Sequence, residues 1–188
     1  MNEIVTELNE KFSKVATEDV LTYFIKEYNQ KLTIASSLSL EDQVITHMAL
    51  KIDPNVSIFV LDTGRLHQET YDVMYNSMKK YNFKYSVFAP KTDDLQTMVS
   101  QHGPNLFYSS IENRKKCCQI RKVEPLKRAL SSSDIWVTGL RSEQSITRSS
   151  LNLIEWDETF NQLKLNPLLN WTEKQVRHYI EVNNVPYN

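Results

Sequence analysis

In the first thirty-one positions apolar residues recur every three to four places with charges between them. Val20, Phe24 and Tyr28, with Leu21 and Ile25, make one such stripe, which predicts helices over 3–14 and 18–30. Thr17 is placed to cap the second, with Glu18 and Asp19 in its first turn. The period then changes. Leu32-Thr33-Ile34-Ala35 is a short apolar run, and Ser57-Ile58-Phe59-Val60-Leu61 a longer β-branched one, as expected of strands covered on both faces. A third strand is predicted over Phe83–Phe88, stopped by Pro90, and a fourth over Ile135–Thr138. Helices are predicted between them, over 41–51, 67–80, 93–101 and 122–131, with Pro125 in the first turn of the last. Residues 106–120 read as irregular or helical. Residues 151–166 alternate weakly, as a hairpin around Asp157-Glu158-Thr159 would, and Thr172 caps a final helix reaching Val182. Strand, turn and helix in repetition predict an α/β, doubly wound, mostly parallel sheet. With no linker or repeat, residues 1–188 read as a single α/β domain.

Ligands of such sheets bind beyond the carboxyl ends of the strands, so the residues there carry the candidate chemistry. Two of the three glycines, Gly64 and Gly139, directly follow strands, where the backbone must turn sharply or approach a ligand. Ser36-Ser37-Leu38-Ser39 follows the first strand and opens a helix. Its hydroxyls and N–H groups can cradle an anion, or simply cap the helix; with no glycine it is not a P-loop. After Gly139 come Arg141, Gln144 and Arg148, and arginine forks match phosphate and sulfate oxygens; a solvated loop is the plainer reading. His67-Gln68-Glu69 has the H-x-E of zinc deaminases but no P-C-x-x-C partner.

The only two cysteines, Cys117 and Cys118, are neighbours. From Arg114 to Arg128 seven basic residues, Arg121 and Lys122 among them, face the single acid Glu124. The densest positive patch of a chain of net charge −1 thus holds its soft metal ligands. Such a patch asks for an anion: a phosphate or sulfate ester, or a thiolate-ligated cluster. Buried structural thiols are the bland alternative. Two cysteines cannot complete a zinc or iron–sulfur site alone. The near-neutral charge gives no general attraction to nucleic acid. No apolar run suits a membrane, and acids stand where a signal peptide needs lysines, so a cytoplasmic protein is expected.

Together these stretches resemble the assimilatory sulfonucleotide (APS/PAPS) reductases. Leu61-Asp62-Thr63-Gly64-Arg65-Leu66-His67 is similar to the family's strand-two motif, and Cys117-Cys118-Gln119-Ile120-Arg121-Lys122 to its cluster motif. Val137-Thr138-Gly139-Leu140-Arg141 with Gln144, Ser145 and Arg148 is similar to its substrate loop, and Asn166-Pro167-Leu168-Leu169 to its later signature. The resemblance implies a modified ATP-pyrophosphatase (adenine nucleotide alpha hydrolase-like) fold binding a sulfated adenosine nucleotide. It implies a [4Fe-4S] cluster with Cys117 and Cys118 as two of its four ligands, as in members that mostly reduce adenosine 5′-phosphosulfate. Lys122 and Arg141 are the implied catalytic cations. Ser36, Ser37, Ser39, Leu61, Thr63, Gly64, Arg121, Gly139, Gln144 and Arg148 are the implied substrate-binding residues. In the implied reaction a cysteine thiolate near the family's C-terminus attacks the sulfate sulfur, AMP leaves, and thioredoxin releases sulfite.

The chain departs from the family at Ser39 and Leu40, which stand where Gly and Ala are usual; a side chain at the glycine position is expected either to crowd the nucleotide phosphate or to demand a different backbone turn. It also stops before the family's C-x-x-C and terminal cysteine, which reads as truncation. Three alternatives accompany the adenosine 5′-phosphosulfate reductase: a reductase of the 3′-phosphorylated nucleotide, a redox-inactive sulfonucleotide-binding module, and a homo-oligomer in which two copies complete one cluster.

Overall fold

The computed structural model describes residues 2–144 and 151–188. Helices α1 (Asn2–Phe12) and α2 (Thr17–Tyr28) precede β1 (Leu32–Ser36), α3 (Leu40–Ile52), β2 (Ser57–Leu61), α4 (Gln68–Tyr81), β3 (Ser86–Phe88) and α5 (Thr92–His102). Then come α6 (Ile111–Cys118), α7 (Glu124–Leu130), β4 (Ile135–Val137), β5 (Ile154–Asp157), β6 (Gln162–Leu165) and α8 (Glu173–Asn183). The sheet order is β3-β2-β1-β4-β6-β5. All neighbours are parallel except the β5–β6 hairpin. The chain runs outward from β1 to β3, then returns to pair β4 on the other side of β1. The ends of β1 and β4 therefore flank the switch point, where a crevice must open because their connections diverge.

Strand periodicity divides the sheet into two faces. Ile34, Ile58, Val60, Ile135, Val137, Leu163 and Leu165 join one core with residues of α2, α3, α4 and α8. The opposite face meets α7, which packs on β2 and β3. The antiparallel edge is shielded by α1. Asn9 donates from Nδ2 to the Ile154 carbonyl at 2.8 Å and accepts the Ile154 N–H at 3.1 Å. One side-chain amide thus occupies the open hydrogen-bonding edge of β5.

Two local expectations are corrected. Thr17 is not the N-cap of α2: Ala16 holds that position, while the Thr17 hydroxyl accepts from Trp171 Nε1 at 2.9 Å and donates to the Pro167 carbonyl. β3 starts at Ser86 rather than Phe83. Asn82 closes α4 in the left-handed conformation (φ 50°), and the Phe83 N–H then returns to the Met78 carbonyl at 3.3 Å, so Phe83 is engaged by the helix end instead of the sheet. Residues 111–130 form one helical rod whose centre, Gln119–Val123, is wound as a π-helix. Pro125 explains it. A proline ring clashes with the carbonyl four residues back, and the wider winding sends the Glu124 N–H to Gln119 instead. Among the described residues, no helix is long and apolar enough to cross a membrane.

Candidate functional site

A cavity of about 470 Å³ opens at the switch point. It descends the α7-facing side of the sheet in tiers set by strand register. Trp136 of β4 pairs with Lys164 of β6 and with Thr33 of β1; two residues further along, Ala35 pairs with Phe59. Counted back along the register from the strand ends, Ser37, Leu61 and Leu140 form the first tier of lining residues, Ala35, Phe59 and Thr138 the middle tier, and Trp136 and Lys164 the lowest tier, here called the floor. Leu126 of α7 and Leu66 add apolar wall.

Of the residues singled out in the sequence, Ser36, Ser37, Ser39, Leu61, Thr63, Gly139, Gln144 and Lys122 reach this cavity. The serine loop is ordered by Asp42 of the first turn of α3. Its Oδ2 accepts from the Ser37 N–H at 2.6 Å, the Ser37 hydroxyl at 2.5 Å and the Ser39 hydroxyl at 3.2 Å. Burial raises the Asp42 pKa above the ordinary carboxylate value, and these donated hydrogen bonds pull it back. Leu38 pays in backbone strain, at φ 66° with its side chain buried, a conformation that a non-glycine residue holds only when its surroundings fix it. Ser39 has ordinary extended backbone, φ −72° and ψ 170°. The backbone there does not require glycine, and the Ser39 hydroxyl turns to Asp42.

The two glycines answer different demands. At Gly139 a Cβ would stand 2.2 Å from Asp42 Oδ1, so β4 approaches α3 as only glycine permits. Gly64 adopts φ 67° in a turn whose N–H is held by Asp62 Oδ1 at 2.8 Å. It lies outside the cavity wall, beside Arg121. Arg121 is also behind the wall: it is buried, and its guanidinium donates to the Thr63 carbonyl at 2.6 Å.

Arg141 is turned to the fold rather than the cavity. Its guanidinium is buried, 2.8 Å from Glu41 and 2.9 Å from Glu143, with a further bond to the Trp171 carbonyl. Glu143 also accepts the Glu173 N–H at the start of α8. The implied catalytic cation thus ties the loop after β4 to α3 and α8. Arg148 lies outside the described residues. Lys122 is exposed at the cavity wall, and no salt bridge involves it among the described residues.

Cys117 is buried against Met98 and Leu106, whereas Cys118 is exposed. A [4Fe-4S] cluster takes four thiolates, and this chain holds two cysteines. No group of three or more His, Cys, Asp or Glu side chains gathers for a metal among the described residues. Sequence reasoning missed Asp42, Trp136 and Lys164. An Asp following serines signals a helix start, but only the folded loop shows which donors it collects. Lys164 sits in a weakly alternating strand whose facing is invisible until β6 pairs with β4.

The architecture has known counterparts. A nicotinamide mononucleotide synthetase from Francisella tularensis superposes with a TM-score of 0.62 at 12% identity, covering 97% of this chain and 71% of that one. Together with the sheet order, it marks the adenine nucleotide alpha hydrolase-like fold. A phosphoadenylyl-sulfate reductase from Candida auris, solved with phosphate, superposes with a TM-score of 0.85 at 29% identity, covering 100% of this chain and 89% of that one. In sequence, a Burkholderia cepacia protein named adenosine 5′-phosphosulfate reductase is 44% identical over 176 residues, 94% of this chain and 70% of that relative. The model of the phosphoadenosine phosphosulfate reductase domain matches residues 31–188, and the chain belongs to that family.

Proposed function

We propose that this chain binds the sulfonucleotide of an adenosine 5′-phosphosulfate reductase, which converts adenosine 5′-phosphosulfate to sulfite and AMP in sulfate assimilation. The observation that carries this reading is the switch-point cavity, which joins a serine loop at the N-terminus of α3 to Lys122, an exposed lysine with no salt-bridge partner among the described residues. A helix start favours anions, and the lysine adds a mobile positive charge. Ser36, Ser37 and Ser39, in the loop held in place by Asp42, border the nucleotide together with the Gly139 backbone. Lys122 offsets the repulsion between an attacking thiolate and the phosphosulfate, and stabilises the departing phosphate.

The sulfur chemistry follows the family. A thiolate bonds to the sulfate sulfur as the S–O bond to AMP breaks. A reduced dithiol, that of thioredoxin, then becomes a disulfide as sulfite leaves. Neither Cys117 nor Cys118 is assigned as the attacking thiol. Both are read as ligands of a [4Fe-4S] cluster whose remaining thiolates come from outside these 188 residues. Such a cluster would supply negative charge that tunes the field at Lys122. The reading places the protein in the cytoplasm, with thioredoxin as its partner.

Competition titrations test it. The chain is expected to bind AMP more tightly than adenosine 3′,5′-bisphosphate, and Lys122→Ala to weaken AMP about tenfold, the worth of one charged hydrogen bond. Preference for the bisphosphate would move the substrate to the 3′-phosphorylated nucleotide. Binding of neither would refute the reading.

A further inference from the structure

Lys164 is the second lysine of the cavity. It lies on the floor, paired in register with Trp136, two residues below the Ala35–Phe59 tier, roughly 6–7 Å at about 3.3 Å per residue. The serine loop lies higher still. Its surroundings also differ from those of Lys122. Lys164 Nζ stands 3.2 Å from Glu155 Oε2 and 5.8 Å from the Trp136 ring centroid, with its side chain only 16% exposed. Glu155 Oε2 is itself fixed by Asn166 Nδ2 at 2.8 Å, and Asn166 Oδ1 accepts from the Thr138 hydroxyl at 2.6 Å. Asn166 is fully buried. A polar chain thus runs from Thr138 on the middle tier to Lys164 on the floor and holds the ammonium in place.

This arrangement fixes the kind of group Lys164 can serve. Glu155 largely neutralises its charge, so it offers an anion little, but an ammonium has three donors and one carboxylate oxygen does not use them all. The cavity wall it shares with Trp136, Phe59 and Leu126 suits a flat, mostly apolar group better than a phosphate. We infer that Lys164 is a specificity-determining contact to the nucleoside, donating to an uncharged acceptor of the base or ribose, while the anionic end lies at the serine loop and Lys122. This inference rests on the nucleotide reading above.

Calorimetric titration of the 188-residue chain with adenosine and with AMP separates the two lysines. Lys164→Ala is expected to weaken both ligands by the same factor, about tenfold. Lys122→Ala is expected to weaken AMP and leave adenosine unchanged. Lys164→Met keeps the apolar stem on Trp136 and should reproduce the alanine result with the thermal midpoint preserved. A loss confined to AMP would make Lys164 a phosphate contact and overturn the inference. So would unchanged binding of both ligands in Lys164→Met, with the nucleotide reading intact. A wild-type chain that binds neither ligand removes both.

Discussion

Arg141 and Lys122 carry the same charge and follow the same kind of sequence signal, a basic residue close to the switch point, yet the fold treats them oppositely. Arg141 lies on the α3–α8 side. Its guanidinium is buried against Glu41 and shared with Glu143 and the Trp171 carbonyl. Lys122 lies on the far side, just after the thiols, exposed at the cavity wall. The difference teaches that proximity to a strand end does not make a cation available. A planar fork with five donors is readily consumed by two carboxylates and a carbonyl, whereas a lysine on a π-helical turn, with no salt bridge among the described residues, keeps its charge for a ligand.

The contrast breaks first at Arg141. Arg141→Ala leaves Glu41 buried without its partner and is expected to cost about 3–5 kcal/mol, read as a lower urea midpoint with unchanged slope. A loss under about 1 kcal/mol, with nucleotide binding selectively abolished, would put Arg141 in the same role as Lys122. Gly139→Ala should cost about 1–3 kcal/mol, because the new Cβ meets Asp42 Oδ1. Combined with Asp42→Ala, the two losses should fall short of their sum; strict additivity would show that the close approach is not what demands glycine.

A smaller effect tests the same α3–α8 seam through pH. His47 of α3 shares a 2.9 Å hydrogen bond with the Tyr179 hydroxyl of α8, and burial, helped by Lys51 and Lys80, lowers its pKa below the ordinary 6.5. The folded state therefore resists protonation more than the unfolded chain. This contribution to stability is present above pH 6.5 and is lost as pH falls through 6.5 toward the folded value. The urea midpoint should drop between pH 7.5 and 5.5, and drop less in His47→Gln; equal drops would remove His47 as the cause. The smallest stability effect belongs to Lys122→Ala, within about 0.5 kcal/mol of wild type. A larger loss would mean that Lys122, like Arg141, supports the fold.

Much of the architecture was legible because periodicity reports burial directly. Ile58-Phe59-Val60 reads as a strand covered on both faces and is one, and Thr172 reads as a cap and forms a capping box with Gln175. The misreadings share a cause. Phe83-Lys84-Tyr85 has strand-like composition, but the left-handed Asn82 spends the Phe83 N–H on closing a helix. Thr17 looks like a cap, but Trp171, far along the chain, engages its hydroxyl.

By itself the sequence determined the alternation of strands and helices, the placing of serines, glycines and cations at strand ends, and the pairing of thiols with a basic patch. These are local properties, fixed by propensity and spacing within a dozen residues. Tertiary structure alone decided which of those groups are free. It set Asp42 among the serines, closed Arg141 onto Glu41 a hundred positions away, brought Lys164 beneath the cavity, and left Lys122 at its wall. The reason is physical: a polar group's availability depends on the partners that folding brings within about 3 Å, and those partners are seldom neighbours in the chain.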